Sequence, residues 1–263
     1  MSTRCGRAAF TILELLVVVV VMAILAALLL SFIREAKQRS FAARSSSNLR
    51  QLVIANIAYA ADKGFYAPAD DRSNNRRWHG ARKNAGGEFD PAKGFLAPYL
   101  GKSREVTPDP LFKIMLKGKK SFEEGTGGYG YNAAYIGGRP TWAWNPDGTR
   151  VSARPAQVER PASTMMFATS AFAMDDGVQE YPYAEPPFWD FGDGPTSFRP
   201  SPTVHFRFNG QAIVGWCDGH VSLERKEKRD VGENPYGGDP DAHQLGWFGP
   251  DEENGYWNPN RAP

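Results

Sequence analysis

The stretch Phe10–Ile33, FTILELLVVVVVMAILAALLLSFI, decides how the rest of the chain is organised. Its residues carry one charge, at Glu14. At about 1.5 Å of rise per residue, a helix of this length covers roughly 36 Å, which exceeds the bilayer hydrocarbon core of about 30 Å. The sequence therefore predicts a membrane-spanning helix.

The carboxylate of Glu14 is costly near the start of such a span. An acidic side chain in hydrocarbon costs at least about 2.5 kcal/mol and is retained where it has a partner. Cleavage of the chain just before Phe10 would create an α-amine about one helical turn from Glu14, on the same chain or on a neighbouring copy. We therefore expect Glu14 to pair with that amine.

The residues around this position resemble the prepilin leader of type IV pilins and type II secretion pseudopilins. Arg4 and Arg7 precede the small residue Ala9, and Phe10–Leu16 (FTILELL) opens the apolar run. The resemblance implies a leader at residues 1–9 and cleavage between Ala9 and Phe10 by prepilin peptidase. It also implies N-methylation of Phe10 and assembly with other pilin or pseudopilin subunits, in which Glu14 takes part.

Two residues depart from the pattern of this family. Ala9 stands where Gly is usual before the cleavage site, and Ser31 stands where Pro is frequent. The second departure predicts a helix without a proline kink. The alternatives for this segment are a secretory signal peptide, whose apolar core is shorter and lacks an acid, and an uncleaved anchor.

The helix is predicted to continue well beyond the membrane. Residues 34–63 contain neither Gly nor Pro, and apolar residues recur at helical spacing among polar ones. Gly64 is suited to the position after the last helical residue. We therefore expect one helix with a transmembrane half at 10–33 and an extramembrane half at 34–63. The apolar positions of the second half are Ala42, Leu49, Leu52, Val53, Ile57 and Ala60.

A globular α+β head is expected at residues 64–233, followed by an irregular C-terminal strap or tail at 234–263. Most of the 27 Gly, 20 Pro and seven Trp lie outside the helix, which indicates a loop-rich head with an aromatic core. The fold class is thus α+β and pilin-like, with the long N-terminal helix packed on an antiparallel sheet. Thr164–Phe172 is predicted to hold a buried strand.

The strongest β signal is Thr203–Glu224, which predicts a three-stranded antiparallel meander. Val204, Phe206 and Phe208 alternate with polar residues, Asn209-Gly210 is a two-residue hairpin turn, and Asp218-Gly219 is a second turn. GGYGYN (127–132) and WCDGHV (216–221) also resemble the heads of pseudopilin-like proteins that carry a His…Asp-Gly motif near the C-terminus.

Charge and cysteine content bear on the partners of the chain, on its disulfides and on its orientation in the membrane. Lys plus Arg number 31 against 29 Asp plus Glu, and loss of Arg4 and Arg7 with the leader leaves 29 against 29, so no nucleic-acid partner is expected. Cys5 would leave with the leader, and Cys217 alone cannot form an intramolecular disulfide. The positive charges that follow the span would favour a cytoplasmic head, but the family pattern implies the opposite orientation.

Three groups of head residues are candidates for ligand binding. His205, Asp218 and His220 are a possible metal set, against the interpretation that Asp218-Gly219 is simply a turn and a strand histidine faces solvent. An acidic segment could hold calcium in a head loop or form a solvated surface loop. It comprises Asp175, Asp176, Glu180, Glu185, Asp190 and Asp193. No metal or other cofactor is assigned.

Five tryptophans could form a binding platform for a carbohydrate or a protein, although tryptophan more often packs in the core. These are Trp142, Trp144, Trp189, Trp247 and Trp257. No sequence pattern of an enzyme is found, since a G-x-S-x-G, a P-loop and an H-E-x-x-H motif are all missing.

The expected function is that of a structural subunit in a type II secretion pseudopilus or a type IV pilus-like filament. The resemblance places it in the bacterial inner membrane as a single-pass protein, in contact with membrane lipid, with the head on the periplasmic side. A membrane-anchored binding module and an anchored hydrolase are the alternatives.

Overall fold

The computed structural model describes residues 11–116, 123–138, 144–190, 194–196, 198–227, 234 and 237–260. The chain divides into two compact units, Met1–Ser40 and Phe41–Pro263. Helix α1, Ile12–Lys63, contributes to both units. It ends where the sequence predicts, since Gly64 has φ +82° and its N–H donates to the Ala60 carbonyl oxygen at 2.8 Å.

In the first unit, the described apolar side chains of α1 are largely exposed. The large hydrophobic residues described between Ile12 and Ile33 are 46–87% exposed. Within the described residues, α1 is the one helix long and apolar enough to cross a membrane. Its exposed apolar surface is what a lipid-facing or subunit-facing helix requires.

The second unit is built on a four-stranded antiparallel sheet. In their order across the sheet, its strands are β1 (Tyr129–Tyr131), β2 (Met165–Thr169), β6 (Gln211–Trp216) and β7 (Val221–Arg225). Two small antiparallel pairs are added. They are β3 (Phe172–Met174) with β4 (Gly177–Gln179), and β5 (Val204–His205) with β8 (Leu245–Gly246).

Short helices occupy the connections of this unit. Asp109 caps α2, Pro110–Met115, by accepting from the backbone N–H of Leu111 and Phe112. The 3₁₀ helices lie at Pro91–Lys93, Ala97–Tyr99, Pro155–Gln157, Pro161–Ser163 and, with an internal kink, Glu252–Trp257.

The sheet has one helix-covered face and one face covered by the C-terminal segment. Ile213 and Phe167 share a core with Leu49, Leu52 and Val53 of α1. Neighbouring residues of the same strands point the other way, into a core that includes Trp247, Phe248 and Trp257. This alternation is the period of two that a sheet buried on both faces requires. The predicted helical stripe is confirmed, with Leu49, Leu52, Val53 and Ala60 buried.

The predicted meander is wrong in its first strand. The Asn209-Gly210 turn is present, with both residues at positive φ and reciprocal backbone hydrogen bonds of 3.0 Å between Phe208 and Gln211. Pairing stops there, however, because Arg207 turns inward instead of facing solvent. β5 pairs with β8 instead, and β6 has β2 beside it in the place of the predicted first strand. Every residue of β2 is buried, so the buried strand predicted at Thr164–Phe172 is confirmed.

Helix α1 comes so close to β6 that a side chain at Gly215 has no room. A Cβ there would lie 2.5 Å from Val53 Cγ2. We expect Gly215→Ala to lower the free energy of unfolding by about 1–3 kcal/mol, because the helix and the sheet must move apart. Gly86→Ala is the control: Gly86 is exposed and has no atom within 4 Å of the added Cβ. Thermal unfolding of the two variants should differ clearly, and equal melting temperatures would contradict the close contact.

Candidate functional site

The N-terminus of α1 contains the residue that the sequence singles out. Thr11 N–H and Thr11 Oγ1 both donate to Glu14 Oε2 at 2.9 Å, and Glu14 N–H donates to Thr11 Oγ1 at 3.2 Å. This is a capping box, in which Thr11 and Glu14 satisfy each other's backbone N–H groups. Sequence reasoning missed this role, although the T-x-x-E spacing before an apolar run is its signature. Ala9 and Phe10 lie outside the described residues.

The candidate metal set is not brought together. His205 is buried, and its Nδ1 accepts from Arg207 Nη1 at 3.0 Å. Asp218 and His220 pair with each other at the β6–β7 turn, with 2.6 Å between Asp218 Oδ1 and His220 Nδ1. The interpretation of His205 as a solvent-facing residue is also wrong. Burial and the Arg207 guanidinium hold the pKa of His205 well below its usual range, so the ring is neutral.

No group of three or more His, Cys, Asp or Glu side chains in the described part of the chain is placed to hold a metal ion. Cys217 is buried, and burial raises the pKa of its thiol. A second buried histidine, His79, has its pKa lowered well below the usual range by burial and by Arg77 and Arg82. Neither of its ring nitrogens has a hydrogen-bond partner among the described residues.

A buried ion pair that the sequence did not indicate ties the head together. Arg207 donates through Nη2 and Nε to Asp109 Oδ2 at 3.2 and 3.3 Å, and Ser45 Oγ donates to the same oxygen at 2.5 Å. Arg207 Nη2 also donates to the Gly128 carbonyl oxygen at 2.7 Å. Asp109 and Arg207 are almost fully buried, so each needs the opposite charge of the other to offset the cost of its own burial.

Replacing Asp109 with Asn tests this pair. Asp109→Asn leaves Arg207 as a buried charge without its counter-ion, and we expect a loss of about 3 kcal/mol or more in the free energy of unfolding. Asp90→Asn is the matched control. Asp90 also precedes a proline and caps a helix, by accepting from Ala92 N–H, but its side chain is 45% exposed and pairs with the exposed Lys93. Equal thermal unfolding of the two variants would contradict a central role for the Asp109 pair.

The acidic segment is only partly a solvated loop. Asp175 and Asp176 are exposed, whereas Glu180 is largely enclosed and accepts from Thr126 N–H, Thr126 Oγ1 and Gly127 N–H at 2.7–3.0 Å. Burial nevertheless raises the pKa of Glu180. The solvated-loop interpretation is therefore wrong for Glu180, because the turn at 126–127 supplies donors to its carboxylate. Asp193 lies outside the described residues.

Two of the tryptophans belong to the core. Trp247 and Trp257 are completely buried, and their Nε1 atoms donate to the carbonyl oxygens of Glu185 and Ala184 at 3.0 and 2.8 Å. Trp144 is covered by the guanidinium of Arg150, 5.2 Å from the ring centre. Trp189 is half-buried, and Trp142 lies outside the described residues. The described members of this group thus do not form an exposed binding platform.

Comparison with known protein families gives one match. The model of the prokaryotic N-terminal methylation motif, which is the prepilin-type motif of type IV pilins and pseudopilins, matches residues 4–30. Neither the comparison with curated proteins nor that with solved structures gives a match. The motif supports a pilin-like subunit, and the one N-terminal apolar helix among the described residues fits a single membrane anchor. The motif implies prepilin peptidase and other pilin subunits as partners.

Proposed function

We propose that this chain is a structural subunit of a type II secretion pseudopilus or a type IV pilus-like filament. In this proposal, prepilin peptidase cuts between Ala9 and Phe10 and the new amine is methylated. Residues 10–33 hold the subunit in the inner membrane among its lipids, with the head on the periplasmic side. The observation that carries the proposal is the coincidence of the methylation motif with an apolar helix whose charge is at Glu14.

Assembly into a filament would explain why the apolar helix contains the charged residue Glu14. In a bundle of such helices, the Phe10 amine of one subunit would be desolvated, and a lone buried cation costs several kcal/mol. The carboxylate of Glu14 on a neighbouring subunit offsets this cost by forming a pair. The apolar side chains described between Ile12 and Ile33, which are largely exposed, would be covered by neighbouring helices and lipid. This role of the chain requires neither catalysis nor a cofactor.

Processing can be measured directly. We expect the chain isolated from membranes to begin at Phe10 and to carry one additional methyl group, as determined by intact-mass analysis. Ala9→Leu should retain the leader, because a bulky residue replaces the small one before the cut, whereas Ala8→Leu serves as the neighbouring control and should be cleaved. A wild-type chain that retains Met1, or one that begins near Ala26–Leu28, would contradict the proposal.

The charge of Glu14 and its capping role can be separated by three variants. Glu14→Gln keeps an oxygen that accepts from Thr11, since Gln also forms capping boxes, but it removes the charge. Glu14→Leu removes both, and Thr11→Ala removes the hydroxyl cap at a cost of about 0.5–2 kcal/mol while the charge remains. If Glu14 neutralises a neighbour's amine, crosslinking should show that both Glu14 variants fail to polymerise while Thr11→Ala assembles.

The control for these variants is Glu35→Gln, which removes a carboxylate from the same helix beyond the apolar run. Glu35 forms an exposed i,i+4 pair with Arg39, and exposed pairs of this kind contribute about 0.3–0.5 kcal/mol. Glu35→Gln should therefore assemble normally, and all variants should reach the membrane and be processed. Assembly of Glu14→Gln at the wild-type level would show that capping, and not charge, is the function of Glu14.

A further inference from the structure

The head contains a cavity of about 140 Å³ between the β1–β2 connection and the segment 181–190. A cavity needs roughly 10–15 Å³ on the same measure to hold one water molecule, so this one has space for several waters or for a small organic molecule. Its wall combines aromatic rings, including Trp189 and Tyr181, with charged groups. The charged groups in this described lining are three carboxylates and one guanidinium.

Two of the charged groups in the lining, Arg150 and Asp70, form an ion pair with each other. Arg150 donates through Nε and Nη2 to the two carboxylate oxygens of Asp70 at 2.7 and 2.9 Å, and Tyr183 Oη donates to Asp70 Oδ2 at 2.8 Å. This bidentate pair is fixed in geometry and neutral in sum.

The other two carboxylates of the described lining belong to Glu185 and Asp190. Glu185 Oε1 accepts from Tyr181 Oη at 2.9 Å, and Asp190 Oδ2 accepts from Tyr135 Oη at 2.9 Å. Among the ion pairs formed by the described residues, none includes Glu185. Burial raises the pKa of Glu185 to about 6, even though the hydrogen bond from Tyr181 and the charge of Arg150 favour the ionised form.

We propose that this cavity binds a primary ammonium group carried on a short apolar body. Glu185, with the negative charge of Asp190 nearby, would accept from the ammonium N–H groups, and Trp189 would contact the alkyl part. A carbohydrate fits less well, because it needs an open aromatic face, and Trp144, Trp247 and Trp257 are covered or buried. The inference does not rest on filament assembly, since an anchored binding module could carry the same site.

The test uses the full chain in non-ionic detergent micelles and isothermal titration calorimetry with butylammonium chloride. Butanol, which has the same alkyl chain without the charge, is the neutral control, and protein-free micelles give the blank. We expect saturable binding of butylammonium at about pH 7 that is at least about tenfold tighter than that of butanol. Equal affinities for the two compounds would overturn the proposal.

Protonation of Glu185 provides a test that needs no substitution. The groups around it are Asp70, Arg150, Asp190, Tyr181 and Tyr183. A carboxyl group with a pKa of about 6 is about nine-tenths protonated at pH 5, so butylammonium should bind roughly tenfold more weakly there than at about pH 7. Binding should release protons in the intermediate range. An affinity that does not change with pH would count against Glu185 as the acceptor.

Substitutions then test which carboxylate of the cavity accepts the ammonium group. Glu185→Gln should weaken butylammonium binding at least about tenfold, because its amide oxygen still accepts from Tyr181 but carries no charge. Glu180→Gln is the matched control, since Glu180 directly precedes the segment 181–190 and is not among the described lining residues, and it should bind as wild type does. Asp190→Asn provides a second variant if Glu185→Gln lowers the melting temperature. Wild-type affinity in both cavity variants would overturn the proposal.

Discussion

The head depends on the buried ion pair between Asp109 and Arg207, which joins four segments of the chain. Asp109 accepts from Ser45 of α1, from the first turn of α2 and from Arg207, and Arg207 in turn donates to the Gly128 carbonyl oxygen just before β1. Buried ions are tolerated where the remaining donors and acceptors are satisfied, and here they are supplied from positions far apart in sequence. The helix, the sheet edge and the β5–β6 connection are therefore fixed relative to one another within the head.

The same constraint accounts for the two-sided sheet. Once Arg207 turns inward, the segment before the Asn209-Gly210 turn cannot continue as an edge strand, and β6 takes β2 and β7 as neighbours. Gly215 lets α1 approach one face closely, while Trp247 and Trp257 cover the other. The C-terminal segment is thus part of the core of the head, although its sequence has no periodicity.

Local signals were sufficient for much of the fold but not for strand pairing or for buried polar groups. The helix from residue 12 to Lys63, its end at Gly64 and the Asn209-Gly210 turn follow from spacing and backbone preference, which a sequence shows directly. The pairing of β2 with β6 joins residues more than forty positions apart. The burial of His205 and Arg207 depends on Asp109, almost a hundred positions away, so an alternating pattern was interpreted as a half-exposed strand.

The two proposed sites, at Glu14 and at Glu185, differ in the same way from several enclosed carboxylates of the head. In the head, Asp70 pairs with Arg150, Asp109 with Arg207 and Glu123 with Arg77, and Glu180 is held by backbone N–H groups. Glu14 and Glu185 differ from these, since each accepts hydrogen bonds from neutral groups and has no cation among the described ion pairs. Surroundings of low dielectric make such carboxylates costly unless a cation arrives from outside the chain. A neighbouring subunit's amine at Glu14 and an ammonium ligand at Glu185 would meet the same physical requirement at two separate places.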